Sequence, residues 1–276
     1  MVSLCSNERW RAEREHGVHK AQDGAEQGSA LAATFARQGF AVIPGFWTRA
    51  QCAAAEAEIR QALDPVLGPA EFEADVGYPG APSDRAAPGG DTPRRLLFAY
   101  SRFPALRGLA ASPLLAQHLR TLLATDDVRL SQCHHNCVMT KAPGFSSATL
   151  WHQDVRYWSY ARPALISAWL ALGSETVHNG ALRVIPGTHL EDFAASRLDE
   201  QKFLIPDQPT NAALIDSAVS VELAPGDLLL FHCRLFHAAG RNASQSMKLS
   251  PVFTYRSSDN PPQSGTRSAV YPDIAL

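Results

Sequence analysis

From Asp127 onward the chain breaks into short apolar or alternating runs separated by turn-forming residues, a texture that few folds accommodate. The runs "VRLSQCHHNCVMT", "LWHQDVRYW", "ALISAWLAL", "ALRVIPG", "AVSVEL", "DLLLFHCRLFH" and "KLSPVFTYR" have the length and residue types of strands. The separators "HNG", "PGT", "APGD" and "AGRN" supply the Gly, Pro, Asn and Asp that chain reversal needs. The first half has another period. "ALAATFARQG" is a helical pattern with Gly39 placed as a C-cap. "TRAQCAAAEAEIRQAL" is helical behind Thr48 as N-cap, and "SPLLAQHLRTLLA" is helical behind Ser112, with Pro113 at the first position. "FAVIPGFW" reads as a short strand running into a turn. Residues 68–95, dense in Gly and Pro, read as one long loop and a candidate lid. Residues 1–28 are polar and read as a flexible tail. Helices first and many strands later predict a mainly β, α+β chain. The expectation is an antiparallel sandwich or jelly roll with N-terminal helices packed outside, one domain over 29–276. Its helical part spans about 29–126 and its jelly-roll core about 127–260.

Composition narrows the function classes. A formal net charge of -2 offers no field for nucleic acid or an anionic membrane surface. No apolar run reaches the ~18 residues that span a bilayer. The 5 cysteines are odd in number and form no CxxC pair, which argues against a disulfide framework or structural zinc and suits a reducing compartment. The opening "MVSLCSNERWRAEREHGVHK" lacks the apolar core of a secretory signal. A cytoplasmic protein, monomer or homodimer, acting on a small molecule is the expectation.

Within "TLWHQDVRYW", His152 and Asp154 stand two residues apart, so on a strand both project from one face and can share a ligand. Gln153 points to the other side or contributes backbone. A second histidine comes from "FHCRLFHAAGRN". On one regular strand His232 and His237 face opposite ways, and His237, at the strand end before a turn, is the better candidate. Two histidines and one carboxylate on one side of an iron leave three positions open, the facial triad of non-haem iron oxygenases. His134 and His135 lie on a neighbouring strand, where one of the two faces the interior.

"WHQD", then "NGALRVIPGTHL", then "PGDLLLFHCRLFHAAGRN" resemble the phytanoyl-CoA dioxygenase family of iron(II)/2-oxoglutarate oxygenases, over about residues 30 to 260. The resemblance implies a double-stranded β-helix, a cupin-like jelly roll, with iron held by His152, Asp154 and His237. It implies iron(II), 2-oxoglutarate and dioxygen as cofactor and co-substrates, and hydroxylation of an unactivated C–H of a small metabolite, with 2-oxoglutarate decarboxylated to succinate. The intact Asp154 supports hydroxylation, because halogenases of this superfamily carry a small residue there. The family anchors the distal carboxylate of 2-oxoglutarate with an arginine eleven residues beyond the second histidine; here Lys248 stands at that position. Lysine neutralises a carboxylate as a point charge, not as a bidentate fork. Arg241 is an alternative, whereas Arg256, eight residues further on the same strand, is about 26 Å away. Trp169 matches a family tryptophan packed on the co-substrate and Lys141 a lysine that touches it in some relatives; Gln153 and His135 complete the expected contacts. Arg156, Tyr157, Trp158 and Arg234 are candidates for the pocket mouth. Two other readings fit the same residues: a cupin-type metal enzyme that does not use 2-oxoglutarate, and a non-catalytic jelly-roll binding protein.

Overall fold

The computed structural model describes residues 24–276. The tail expected over 1–28 lies outside the described residues up to position 23, and from Gly24 the chain is already helical in α1 (Gly24–Gln38). Gly39 ends that helix at φ +80, its N–H donating to the Phe35 carbonyl at 2.7 Å. A side chain at Gly39 would also meet the His189 ring, at 2.5 Å from Nδ1. Helix α2 (Arg49–Gln61) opens with the expected cap: Thr48 and Gln51 exchange bonds, each side chain accepting from the other's backbone N–H. Short helices α3 (Ala99–Arg102) and α4 (Pro104–Ala110) lead to α5 (Pro113–Leu123), capped by the Ser112 hydroxyl at the Leu115 N–H. Leu115 and Leu119, one turn apart, give α5 its buried stripe.

Two antiparallel sheets face each other. The larger runs in the order β1 (Phe40–Ile43), β9 (Leu228–His232), β6 (Leu165–Leu170), β11 (Lys248–Ser257), β4 (Val128–Lys141), β3 (Pro93–Leu97) and β2 (Ala70–Phe72). A short β12 (Ile274–Ala275) pairs with β4. The smaller sheet is β5 (Thr149–His152), β10 (His237–Ala239), β7 (Leu182–Val184) and β8 (Val219–Ser220). One core lies between the helices and the outer face of the larger sheet, where Cys52, Ile59, Leu109 and Leu119 meet Ile166, Leu230 and Tyr255. A second lies between the sheets, joining Trp169, Leu229, Phe231 and Val252 to Leu182 and Val184. The expected jelly roll with helices outside is therefore the observed architecture. Strands buried on both faces explain why "ALISAWLAL" shows no polar alternation: Ile166 and Ala168 serve the outer core while Trp169 serves the inner one. Among the described residues, no helix is long and apolar enough to cross a membrane.

Three local expectations differ from the structure. The stretch 68–95 is not a single loop, because it contains β2 and enters β3, hydrogen-bonded strands at the edge of the larger sheet. "DLLLFHCRLFH" is not one strand; it turns after His232, so β9 and β10 lie in different sheets. Asp154 is not on a strand with His152: β5 stops at His152 and Asp154 opens a 3₁₀ turn (Asp154–Tyr157).

The turn into β9 fixes the sheet against the helical layer. Gly226, at φ +91, accepts from the Trp47 N–H at 3.0 Å, and a Cβ there would lie 2.0 Å from the Trp47 carbonyl oxygen. Gly226→Ala combines a left-handed backbone with a backbone clash and is expected to cost about 2–3 kcal/mol. Urea unfolding at constant m-value checks it.

Candidate active site

β10 is the element that assembles the site. It pairs His237 with His152 of β5 on one side and with Val184 of β7 on the other. The two imidazoles end with centroids 4.3 Å apart. The 3₁₀ turn after β5 then swings Asp154 back toward them, with Oδ1 3.7 Å from His152 Nε2 and 3.6 Å from His237 Nε2. One ligand atom from each of the three residues lies within 4.8 Å of the others, and all three residues are buried.

The remaining polar atoms are committed in a way that leaves these three free. His152 Nδ1 donates to the Leu150 carbonyl at 2.8 Å and His237 Nδ1 to the Leu235 carbonyl at 3.0 Å. Each bond places the ring proton on Nδ1 and leaves the Nε2 lone pair for a metal. Burial, with His237 close by, pushes His152 down to about 3, so the ring is neutral at physiological pH. Asp154 Oδ2 accepts from Ser167 at 3.4 Å and lies 3.6 Å from His135 Nδ1, which turns Oδ1 toward the histidines. Burial is the largest influence on Asp154 and pushes its carboxyl up; His135, His237, His152 and Arg95 outweigh it and hold the group below the usual range. Two imidazole nitrogens and one carboxylate oxygen, clustered and buried, fit a divalent iron of the 2-His-1-carboxylate kind.

A partly open cavity lies beside this cluster, and all three residues face into it. Lys248, Trp169 and Lys141 all line it. Lys248 and Lys141 are direct cross-strand partners of β11 and β4. Lys248, the expected anchor, is already ion-paired within the protein. Its Nζ is 2.9 Å from Glu175 Oε2, with only 5% and 1% of the two side chains exposed. Ser250 and the Trp169 indole donate to the other Glu175 oxygen at 2.6 and 3.0 Å. Lys141 Nζ donates to the Ser147 carbonyl at 2.8 Å and has no carboxylate partner among the described residues.

Other expected contacts are relocated. Gln153 does not face the cavity; its amide donates to the Arg234 carbonyl and ties the 3₁₀ turn to the β9–β10 connection. His135 does line it, but its ring nitrogen is engaged with Ser167 and Asp154, which makes it a support for the carboxylate. His134 turns away to Ser268 and stacks on Trp158, 5.0 Å between centroids. His232 packs with Phe35 and His189 beneath α1 and is pushed down to about 4 by burial. Arg256 is held by Asp273, and Arg234 by Asp192 and the Glu191 carbonyl, both away from the cavity. Arg241 packs on the glycine at position 80. Trp158 is buried against Tyr160 and Leu165, while Tyr157 is 40% exposed beside His152.

Sequence reasoning missed Glu175, Arg94, Arg95 and Tyr78. Arg94 is consumed by Glu73, Ser147 and Thr149. Tyr78, from the expected lid stretch, lines the cavity and bonds its hydroxyl to that of Tyr157 at 3.2 Å. The adjacent arginines of "TPRRLLF", inside an otherwise apolar run, were the available signal.

A sequence model of the phytanoyl-CoA dioxygenase (PhyH) family matches residues 35–250. The ectoine dioxygenase of Sphingopyxis alaskensis is 27% identical over 246 residues, covering 83% of this chain and 76% of the relative. That of Halomonas elongata is 26% identical over 269 residues, covering 91% and 76%. Among solved structures, the non-heme alpha ketoglutarate dependent epimerase SnoN from nogalamycin biosynthesis superposes with a TM-score of 0.68 at 22% identity, covering 84% of each chain. EctD from S. alaskensis with 2-oxoglutarate and 5-hydroxyectoine gives 0.67 at 24% identity, covering 89% of this chain and 80% of that one. These two superpositions establish the shared fold. With the family match extending over most of the sequence, the chain belongs to the phytanoyl-CoA dioxygenase family.

Proposed function

We propose that this protein is an iron(II)/2-oxoglutarate-dependent dioxygenase that hydroxylates an unactivated C–H bond of a small-molecule metabolite. One observation carries the reading: His152 Nε2, His237 Nε2 and Asp154 Oδ1 converge, and backbone carbonyls hold both histidines in the ligating tautomer. In this reading the three residues are the iron ligands. Iron(II) with 2-oxoglutarate and dioxygen supplies the oxidising chemistry, and 2-oxoglutarate leaves as succinate and carbon dioxide.

The chain's own residues have separate tasks. Ser167 and His135 fix Asp154 so that one oxygen faces the metal position. Lys141 and Lys248, side by side across β4 and β11, hold the distal carboxylate of 2-oxoglutarate, and Trp169 forms the wall beside it. Glu175 holds the Lys248 ammonium in place. Tyr78, its hydroxyl bonded to that of Tyr157, lines the cavity and limits water at the reacting centre. A cytoplasmic location accords with the buried free thiols of Cys52, Cys133, Cys137 and Cys233.

A second reading, a metal enzyme of the same fold without 2-oxoglutarate, draws on the Lys248–Glu175 pair, which satisfies the anchor's charge internally. Lys141, a cavity-lining cation with no carboxylate partner among the described residues, favours the first. Succinate release from 2-oxoglutarate, dependent on both iron(II) and dioxygen, tests the choice; iron-dependent activity on a substrate with no succinate formed selects the second.

Burial, reinforced by Arg94 and Lys248, pushes Lys141 down to about 7. The charged lysine is the form that binds a carboxylate, so affinity for 2-oxoglutarate is greatest below about pH 7 and falls as pH rises through it. The expected loss is up to about tenfold per pH unit. Anaerobic titrations between pH 6 and 9 read this, and Lys141→Arg, charged throughout, flattens the profile.

A further inference from the structure

Glu73 is a wholly buried carboxylate to which the co-substrate reading gives no task. It opens a 3₁₀ turn (Glu73–Asp75) between β2 and β3 and is 0% exposed. A carboxylate is costly to bury unless hydrogen bonds offset the loss of water, so its donors show what it holds. Oε2 accepts from the Ser147 hydroxyl at 2.6 Å, the Ser147 N–H at 3.1 Å and Arg94 Nη1 at 3.3 Å. Oε1 has no hydrogen-bond partner among the described residues.

Ser147 links this carboxylate to the cavity. It lies in the connection from β4 to β5, fully buried, and its carbonyl accepts from Lys141 Nζ at 2.8 Å. Glu73 therefore grips both donors of the residue whose carbonyl orients the lysine. Lys141 and Arg94 line the cavity, with Glu73 and Ser147 enclosed behind them.

The charges act in the same direction. Arg94 and Arg95 share Glu71, which stands nearer to Arg95, at 3.4 Å against 3.9 Å. Glu73 is the enclosed partner of Arg94, with 3% of the arginine side chain and 0% of its own exposed. Without Glu73, Arg94 would act on Lys141 as an unbalanced like charge in a poorly solvated setting. Burial, then Arg94, Lys248 and Arg241, push the Lys141 ammonium down, and Glu73 pushes it up. Lys248 has its own partner in Glu175.

We propose that Glu73 is a positioning residue: it aims the Lys141 ammonium through Ser147 and balances Arg94, leaving Lys141 free for the distal carboxylate of 2-oxoglutarate. This rests on the iron and 2-oxoglutarate reading above.

The test uses the full chain, iron-loaded and anaerobic, with 2-oxoglutarate affinity measured from pH 6 to pH 8.5. Glu73→Gln keeps an acceptor for Ser147 and removes the charge. The ratio of its dissociation constant to that of wild type is expected to rise at least about threefold across this range, because the lysine loses its proton earlier. In a Lys141→Arg background, where the cation does not titrate, the same substitution is expected to leave the ratio flat. Glu73→Asp keeps the charge but is one methylene too short to hold both Ser147 donors. It is expected to weaken binding at least about threefold at every pH, and it decides alone should Glu73→Gln fail to fold. Competitive acetylation of the metal-free chain, read at Lys141 by peptide mass spectrometry, follows the amine directly. Half-maximal reactivity is expected at lower pH in Glu73→Gln than in wild type. Four results overturn the proposal: a flat ratio in Glu73→Gln, an equal rise in the Lys141→Arg background, wild-type affinity in Glu73→Asp, or an unmoved acetylation midpoint. Failure of the underlying reading differs, because wild type then forms no iron–2-oxoglutarate complex at any pH, and this inference falls with it.

Discussion

Asp154→Ala is expected to abolish stoichiometric iron(II) binding and to lower 2-oxoglutarate turnover at least about 10³-fold, while the fold persists. The carboxylate is the one anionic donor among the three clustered residues, and its Oδ1 is the atom both imidazoles face, at 3.7 and 3.6 Å. Removing it leaves two imidazole nitrogens to hold a dication, which weakens affinity and loosens the geometry together. The fold survives because the histidines remain tied to the Leu150 and Leu235 carbonyls and β10 remains paired on both edges. Iron content after anaerobic gel filtration, succinate release and far-UV circular dichroism separate these effects. Full iron occupancy in the variant would remove Asp154 from the ligand set.

Glu175→Ala is expected to destabilise the protein by about 3–5 kcal/mol, the cost of leaving a buried charge without its partner. Lys248 and Glu175 are almost fully enclosed, and the carboxylate also accepts from Ser250 and Trp169, so three donors lose their acceptor at once. The same variant carries a second expectation that ordinary core damage does not share. With Lys248 as the proposed anchor, the distal carboxylate of 2-oxoglutarate would supply the missing negative charge in the iron-loaded protein, so saturating 2-oxoglutarate is expected to raise Tm more in Glu175→Ala than in wild type. Thermal scans with and without 2-oxoglutarate measure the difference. Equal increments in both proteins would detach Lys248 from the co-substrate.

The fold and the metal cluster were legible in the sequence for different reasons. Turn residues and strand-length runs report local backbone preference, so "HNG", "APGD" and "AGRN" marked their reversals without tertiary information. His152 and Asp154 were correctly joined although the strand geometry assumed for them was wrong: the 3₁₀ turn after β5 does what strand alternation was expected to do. His237 was preferred over His232 for its place at a strand end before a turn, with both assumed to lie on one strand, yet the two residues lie in different sheets. Of the two, it is His237, on the short strand β10 paired with His152, that joins the cluster. Glu175 was invisible because it sits in a connection 73 residues before its partner, and no local pattern encodes a pairing at that range. Arg95 was hidden for a related reason. Gly and Pro in 68–95 predict turns correctly, but the edge pairing of β2 and β3 with β4 is a tertiary decision.

Anaerobic titration of the full chain with iron(II), followed by 2-oxoglutarate, bears most directly on the cluster formed by His152, Asp154 and His237. The expected result is a single iron bound per chain and, on adding 2-oxoglutarate, a weak visible charge-transfer band from chelation at the positions those residues leave open, lost in Asp154→Ala. Wild-type protein that takes up no iron, or that takes it up and develops no band with saturating 2-oxoglutarate, would contradict the account.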